Sequence, residues 1–245
     1  MIYAELPPMK PRKLPFYLAM EEHLARNYPD GEFFFMWQVD PTVIYGRCQN
    51  PQAEVNLEFC RSHGIEVYRR KSGGGCVFAD RNNIMFSYIT TAKDDVPTTF
   101  GRYCSMVAGI LRELGLEASA SGRNDVLIGD RKVSGNAFYS LHDRVILHGT
   151  MLFDADLETM AQAITPSAEK LARNGVKSVP ARVTTIRRHL PDLPLEEFKA
   201  FVRRRLCDST RLMTPDDLTA IRALERPYYS PAWLSGRFPD SPDSC

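Results

Sequence analysis

A chain of 245 residues with 44% hydrophobic and 25% charged side chains has the composition of an ordinary globular protein and the length to bury a sizeable core. Its formal charge of +1 excludes a general nucleic-acid coat, because neutralising phosphates takes an excess of Lys and Arg. No stretch is long and apolar enough to span a bilayer, and the N-terminal MIYAELPPMKPRKLP lacks the apolar centre of a signal peptide. The six cysteines show neither C-x-x-C nor zinc-ligand spacing, and the five histidines are far apart. These features predict a cytoplasmic protein with reduced thiols, no structural metal site, and neither nucleic acid nor membrane as partner.

In chain order, Leu14, Tyr17, Leu18 and Leu24 recur at helical spacing over residues 14–27. FFFMWQV (33–39) and TVIYG (42–46) read as strands separated by Asp40-Pro41. Residues 51–64 read as a short helix closed by Gly64, and IEVYRR (65–70) as a strand that runs into Gly73, Gly74 and Gly75. CVFA and NIMFSYIT (83–90) read as strands joined through DRNN. The clearest helix covers 97–115, with Phe100, Tyr103, Cys104, Val107, Ile110, Leu111 and Leu114 on one face and Gly115 at its C-cap. DVLIGDRKVSGNAFYS and RVILHGTMLFD follow as hairpin strands with turns at Gly129-Asp130 and His142-Asp143. From about residue 156 the pattern is helical: DLETMAQAI, PSAEKLARNG, PLEEFKAFVRRRLC and PDDLTAIRAL. The strands do not alternate regularly with helices. The fold class expected is therefore α+β, with mixed, mostly antiparallel sheets and flanking helices in one domain over 1–245.

Consecutive glycines cost conformational entropy and weaken a strand, so RRKSGGGCVF needs a reason. No G-x-x-x-x-G-K-[ST] is present, and a G-x-G-x-x-G would have to open a helix, whereas Cys76-Val77-Phe78 is strand-like. The glycine segment is thus a strand–loop–strand connection. Its N–H groups could form an anion nest backed by Arg70, Lys71 and Ser72, or the segment could be a ligand-free bulge, with equal weight on composition alone. A second stretch favours the nest. Arg123, Asn124, Asp125, Lys132, Ser134, Gly135 and Asn136 are followed on the next hairpin by His148, Gly149 and Thr150. Singly these are turn caps, a surface lysine and a core histidine. Together they are the inventory of a site that brings a phosphate and a carboxylate close.

The chain resembles the lipoate–protein ligase family within the biotin/lipoate ligase superfamily. The strings that carry the resemblance are LAMEE (18–22), PTVIYGRCQNPQAEVN (41–56), RRKSGGGCVF (69–78), SGRND (121–125), GDRKVSGNAF (129–138), HGTMLF (148–153) and KLARNGVKSVPARVT (170–184), with PYYSPAWLSGRFP (227–239) near the end. The resemblance implies that lipoate and ATP, with Mg²⁺, give lipoyl-AMP, whose acyl group passes to a lysine of a lipoyl carrier domain. The carriers implied are those of 2-oxoacid dehydrogenases or the glycine-cleavage H protein. It further implies that Lys132 is catalytic, beside the reacting carboxylate and α-phosphate. Arg70, Ser72 and Gly73 to Gly75 would lie along the lipoyl and phosphate path, with Cys76, Val77, Phe78 and Asn83 also in the binding set. Asn124, Asp125, Ser134, Gly135, Asn136, Ala137, His148, Gly149 and Thr150 would complete the nucleotide contacts. Trp37 would line the acyl tunnel, and Lys177 would reach the nucleotide from a closing loop. Metal ligands are not implied.

The chain departs from the family at Ala79, where relatives carry His, and at Ser178-Val179-Pro180-Ala181-Arg182, which has one Arg fewer than the usual string. The C-terminal accessory domain of many relatives is expected to be absent, with a separate accessory chain as a partner that could supply it. Two rival readings accompany the ligase. One is an acyltransferase that moves octanoyl or lipoyl groups without ATP, although Ala118 to Ser121 lacks the thiol some such enzymes use. The other is a non-catalytic lipoate sensor. A biotin ligase fits less well, because RRKSGGGC replaces its GRGR loop.

Overall fold

Three phenylalanines in a row at the start of β2 (Phe33–Trp37) are all buried, which a strand allows only when both of its faces are covered. The structure, a computed structural model, describes residues 1–121, 124–164 and 182–235. Before β2 come β1 (Ile2–Glu5) and α1 (Leu14–Asn27). After it come β3 (Thr42–Tyr45), α2 (Pro51–Glu54), α3 (Leu57–Ser62), β4 (Glu66–Arg69), β5 (Val77–Ala79) and β6 (Ile84–Thr91). Next are α4 (Val96–Glu113), β7 (Ala118–Ala120), β8 (Asp125–Ile128), β9 (Arg131–Leu141) and β10 (Arg144–Met151). The described chain closes with α5 (Leu157–Ala163), α6 (Ile186–His189), α7 (Leu195–Leu206), β11 (Ser209–Leu212), α8 (Pro215–Glu225) and α9 (Pro231–Ser235).

The strands form an eight-stranded sheet, β11-β1-β2-β6-β10-β9-β8-β7, and a three-stranded sheet, β4-β3-β5. Most pairs are antiparallel, but β1 runs parallel to both β11 and β2, and β3 runs parallel to β4. The expected α+β class with mixed, mostly antiparallel sheets is what the chain adopts. Side-chain alternation divides the large sheet between two cores. Phe34, Phe86, Val145 and Leu147 join α4 and α7, whereas Phe33, Phe35, Met85, Ile89 and Ile146 join α1 and α8. On the α1 face, register sets His148 opposite Ser87 on one side and Ala137 on the other. Two polar side chains are thereby brought together under a helix.

The sequence misleads locally. Residues 51–64 are two helices, because Asn50 and Asn56 each cap a new start, accepting from Gln52 N and Phe59 N at 3.1 Å. The terminal strands β1 and β11 were not anticipated. Cys60, Cys76, Cys104 and Cys207 are not in disulfides, but Cys48 is, against the expectation of reduced thiols throughout. The expected helix PSAEKLARNG, Arg123 and Lys177 lie outside the described residues. Among those described, no helix is long and apolar enough to cross a membrane.

Candidate functional site

A cavity of about 170 Å³ opens where the two sheets, α1 and the glycine segment meet. Leu18, Trp37, Ile44 and Met85 make one part of its wall apolar. Arg70, Asn124, Lys132, Asn136, His148 and Thr150 supply its polar part.

Arg70 is 5% exposed and holds the glycine segment from beneath. Its Nη2 donates to Gly73 O at 2.6 Å and Gly75 O at 2.7 Å, its Nη1 to Ile44 O at 3.1 Å, and its Nε to Ser72 Oγ at 2.9 Å. No carboxylate among the described residues meets this guanidinium, and burial pushes its pKa down to about 10. The rest of the basic triplet is also engaged. Arg69 Nη1 donates to Trp233 O at 3.1 Å, and Lys71 Nζ lies 2.6 Å from the buried Glu22 carboxylate. Within the segment Gly74 has φ +88°, and its carbonyl lies where a Cβ on Gly46 would stand. Main-chain geometry therefore accounts for part of the glycine requirement, without any ligand.

At the polar end, Lys132 Nζ lies 2.8 Å from Asp125 Oδ1, with both side chains about one-third exposed at 36% and 30%. The ammonium rests over Gly135, where an added Cβ would strike it. Val183 pairs with Lys132, and Thr184 N donates to Lys132 O at 2.8 Å, so residues 183 and 184 lie along the backbone of this lysine. Asn124 and Asn136 clamp β8 to β9: Asn124 Nδ2 donates to Asn136 O at 2.7 Å, and Asn136 Nδ2 to Asn124 O at 2.9 Å. Gly149, opposite Asn136 in the ladder, leaves room for that amide, which a Cβ would overlap.

A buried polar chain runs behind the cavity. Trp37 Nε1 donates to Ser87 Oγ at 2.9 Å, and Ser87 Oγ donates to Glu21 Oε1 at 2.5 Å. Glu21 Oε2 lies 2.8 Å from His148 Nδ1, and His148 Nε2 lies 2.7 Å from Ser72 Oγ.

Of the residues expected from sequence, Trp37, Arg70, Gly74, Gly75, Cys76 and Val77 line the cavity. So do Asn124, Lys132, Gly135, Asn136, Ala137, His148, Gly149 and Thr150. Ser72, Asp125 and Ser134 stand one contact behind, on Arg70, Lys132 and Asn136 respectively. Gly73 gives its carbonyl to Arg70. Phe78 packs in the core beside Val43 and Leu152, and Asn83 is fully buried with Nδ2 on Phe78 O at 2.9 Å. Sequence reasoning missed Leu18, Ile44 and Met85, whose apolar periodicity is that of ordinary core. It also missed Glu21, although a signal existed: position 21 lies on the same helical stripe as Leu14, Leu18 and Leu24.

Residues 14–206 match the family described as the lipoyl protein ligase A/B catalytic domain. Lipoate–protein ligase 1 of Staphylococcus aureus is 35% identical over 229 residues, covering 91% of this chain and 70% of that protein. Lipoate-protein ligase LplJ of Bacillus subtilis is 32% identical over 232 residues, with coverage of 91% and 70%. Among solved structures, a bipartite lipoate protein ligase of Thermoplasma acidophilum, described with its E2 lipoyl domain, superposes with a TM-score of 0.85 at 25% identity, over 99% of this chain and 100% of that one. A lipoate-protein ligase A bound with ATP shares the fold at a TM-score of 0.82 and 23% identity, over 97% of this chain and 100% of that one.

Proposed function

The chain belongs to the lipoyl protein ligase A/B catalytic-domain family, and on that premise we propose that it attaches lipoate to a carrier lysine in two steps at the cavity described above. In the first, a carboxylate oxygen of lipoate attacks the α-phosphorus of ATP, and the bond to pyrophosphate breaks. In the second, the uncharged amine of the acceptor lysine attacks the acyl carbon of lipoyl-AMP. The bond to AMP then breaks, and the amine gives up a proton.

The observation that carries this reading is the charge at the junction of the apolar and polar walls. Arg70 is a cation without an acidic partner among the described residues, and Lys132 stands across the same cavity on β9. Such a site suits a ligand with an apolar tail and an anionic head. Two anions repel as they approach, and the fixed Lys132 ammonium, oriented by Asp125, offsets that repulsion most as charge builds in the transition state. The backbone N–H groups of the glycine segment and the Asn124–Asn136 clamp shape the phosphate end. Lys177, which lies outside the described residues, is kept in this reading as a further cation for the nucleotide.

Mg²⁺ enters this reading on the nucleotide. It keeps waters and phosphate oxygens and needs only one or two protein carboxylates, and among the described residues no cluster of three or more His, Cys, Asp or Glu is placed to hold a metal. The acceptor proposed is a lipoyl carrier domain of a 2-oxoacid dehydrogenase or the glycine-cleavage H protein. Likeness to the bipartite T. acidophilum ligase supports keeping an accessory chain as a further partner. A cytoplasmic location is part of the proposal; the cysteines outside disulfides suit it, and the Cys48 disulfide does not.

The test is intact-mass analysis of apo-carrier incubated with this chain, lipoate and Mg-ATP, beside Lys132→Ala. A lipoyl mass increment is expected with wild type, slowed about 100-fold or more in the variant. An active Lys132→Ala would remove Lys132 from the chemistry, and transfer from an acyl-carrier donor without ATP would replace ligation by acyl exchange.

A further inference from the structure

Trp37 and Arg70 stand on different walls of the cavity, and both are obligate donors, because an indole N–H and a guanidinium have no lone pair to offer. Proton direction follows from that. Ser87 Oγ accepts from Trp37 Nε1 at 2.9 Å, so its own proton goes to Glu21 Oε1, 2.5 Å away. The Glu21 carboxylate only accepts, so His148 Nδ1 donates to Glu21 Oε2 at 2.8 Å; with the ring proton there, Nε2 accepts the Ser72 hydroxyl proton at 2.7 Å, and Ser72 Oγ in turn accepts from Arg70 Nε at 2.9 Å. Both runs of donors converge on one carboxylate.

Glu21 is 0% exposed, on a helix whose side chains are buried almost throughout. An apolar side chain would satisfy the same stripe without the cost of desolvating a charge. The acid therefore needs a purpose beyond filling space. Ser72, His148 and Glu21 have the spacing of a Ser–His–acid triad, but Ser72 is 1% exposed, does not line the cavity, and already accepts from Arg70. The arrangement orients its members and does not attack a substrate.

We infer that Glu21 is a positioning residue of the cavity: by ending both donor runs it fixes the indole of Trp37 and the ring of His148, and with them the gap in which the acyl chain lies. The inference takes its substrate from the lipoate reading, while the network itself is independent of it.

Glu21→Gln keeps the volume but offers one acceptor and one donor where two acceptors are needed, so one run must reverse or end unpaired. In ¹H–¹⁵N spectra of the full chain, the variant should shift the Trp37 indole or the His148 ring signals. The Trp233 indole, bonded to Arg69 O at 3.0 Å, stays in place as reference. The KM for lipoate should rise about tenfold, the loss of one hydrogen bond to a charged group, with the KM for ATP within about twofold of wild type. Unmoved Trp37 and His148 signals, or an equal rise in both KM values, would overturn the inference. If Glu21→Gln does not fold, Ser87→Ala decides: it severs only the Trp37 run, so the Trp37 indole should shift while the His148 signals hold, and an unmoved indole ends the proposal. Wild type that transfers no lipoyl group would sink the ligase reading instead, and the spectra would still decide the role of Glu21.

Discussion

Gly135 illustrates what a single missing carbon does at this site. A Cβ there would stand where the Lys132 ammonium lies, and the far end of a flexible side chain moves more cheaply than backbone does. Gly135→Ala should therefore displace the proposed catalytic amine without breaking the fold. The expected outcome is a fall in lipoyl transfer of about 100-fold, with a melting temperature within about 2 °C of wild type, since a surface-level adjustment costs roughly 0.5 kcal/mol. Intact-mass rates and calorimetry check the two halves separately. At this scale the sequence was legible where chemistry is written in residue type. Lys132, Asn124, Asn136 and Gly149 stand out only as a group, because their residue types together suit a phosphate and a carboxylate. Glu21 was betrayed only by its place on the apolar stripe of its helix, and the partners that give it a role lie 66 and 127 positions away.

Among the elements, α1 packs on α8 and across β6, β9 and β10, and its second polar tie shows how it is held. His23 Nε2 lies 2.7 Å from Asp217 Oδ1 on α8, and Tyr28 Oη donates to the same oxygen at 2.7 Å. Burial works against the Asp217 charge, but hydrogen bonds from Tyr28, the Thr214 backbone, His23 and the Thr214 hydroxyl outweigh it and hold the carboxyl well below the usual range. A depressed folded pKa contributes stability that is present above the ordinary Asp value and fades as pH falls below it. Asp217→Asn should accordingly destabilise the protein by about 2 kcal/mol near pH 7, the scale of hydrogen bonds to a charged group. The gap to wild type should narrow as pH drops below about 4. Urea titrations at several pH values check this, and a gap that widens in acid would contradict it. The helices were legible because periodicity and caps are local. The split of 51–64 was not, because each Asn cap is a choice between continuing and restarting a helix that the apolar pattern leaves open.

Across the whole molecule, one edge of the large sheet joins distant parts of the chain, with β11 as the edge strand and β1 as its neighbour. Ile2 pairs with Ser209, and Tyr3 with Thr210, in parallel. Nothing in a four-residue strand announces a partner more than 200 positions distant, which is why β1 and β11 escaped a reading that relied on neighbouring hairpins. The closing segment is fastened to the glycine region as well. Trp233 and Arg69 exchange bonds through Trp233 Nε1 to Arg69 O and Arg69 Nη1 to Trp233 O, and Tyr45 Oη donates to Leu234 O at 2.6 Å. Residues of the strings at 41–56 and 69–78 are thus neighbours in space of residues from the string at 227–239.

Arg70 carries this further. Its guanidinium is buried among the Ser72 hydroxyl and backbone carbonyls, so on the proposed reading an acid bound beside it would add the missing counter-charge and stabilise the fold. Lipoate at about 100 times its Kd should raise the melting temperature by about 5 °C or more, and lipoamide, which has the same tail but no anion, should raise it far less. Equal shifts from the two would show that the guanidinium does not sense the head group. The unloaded protein should also be the form a protease degrades fastest, because the bound ligand lowers the population of the open chain.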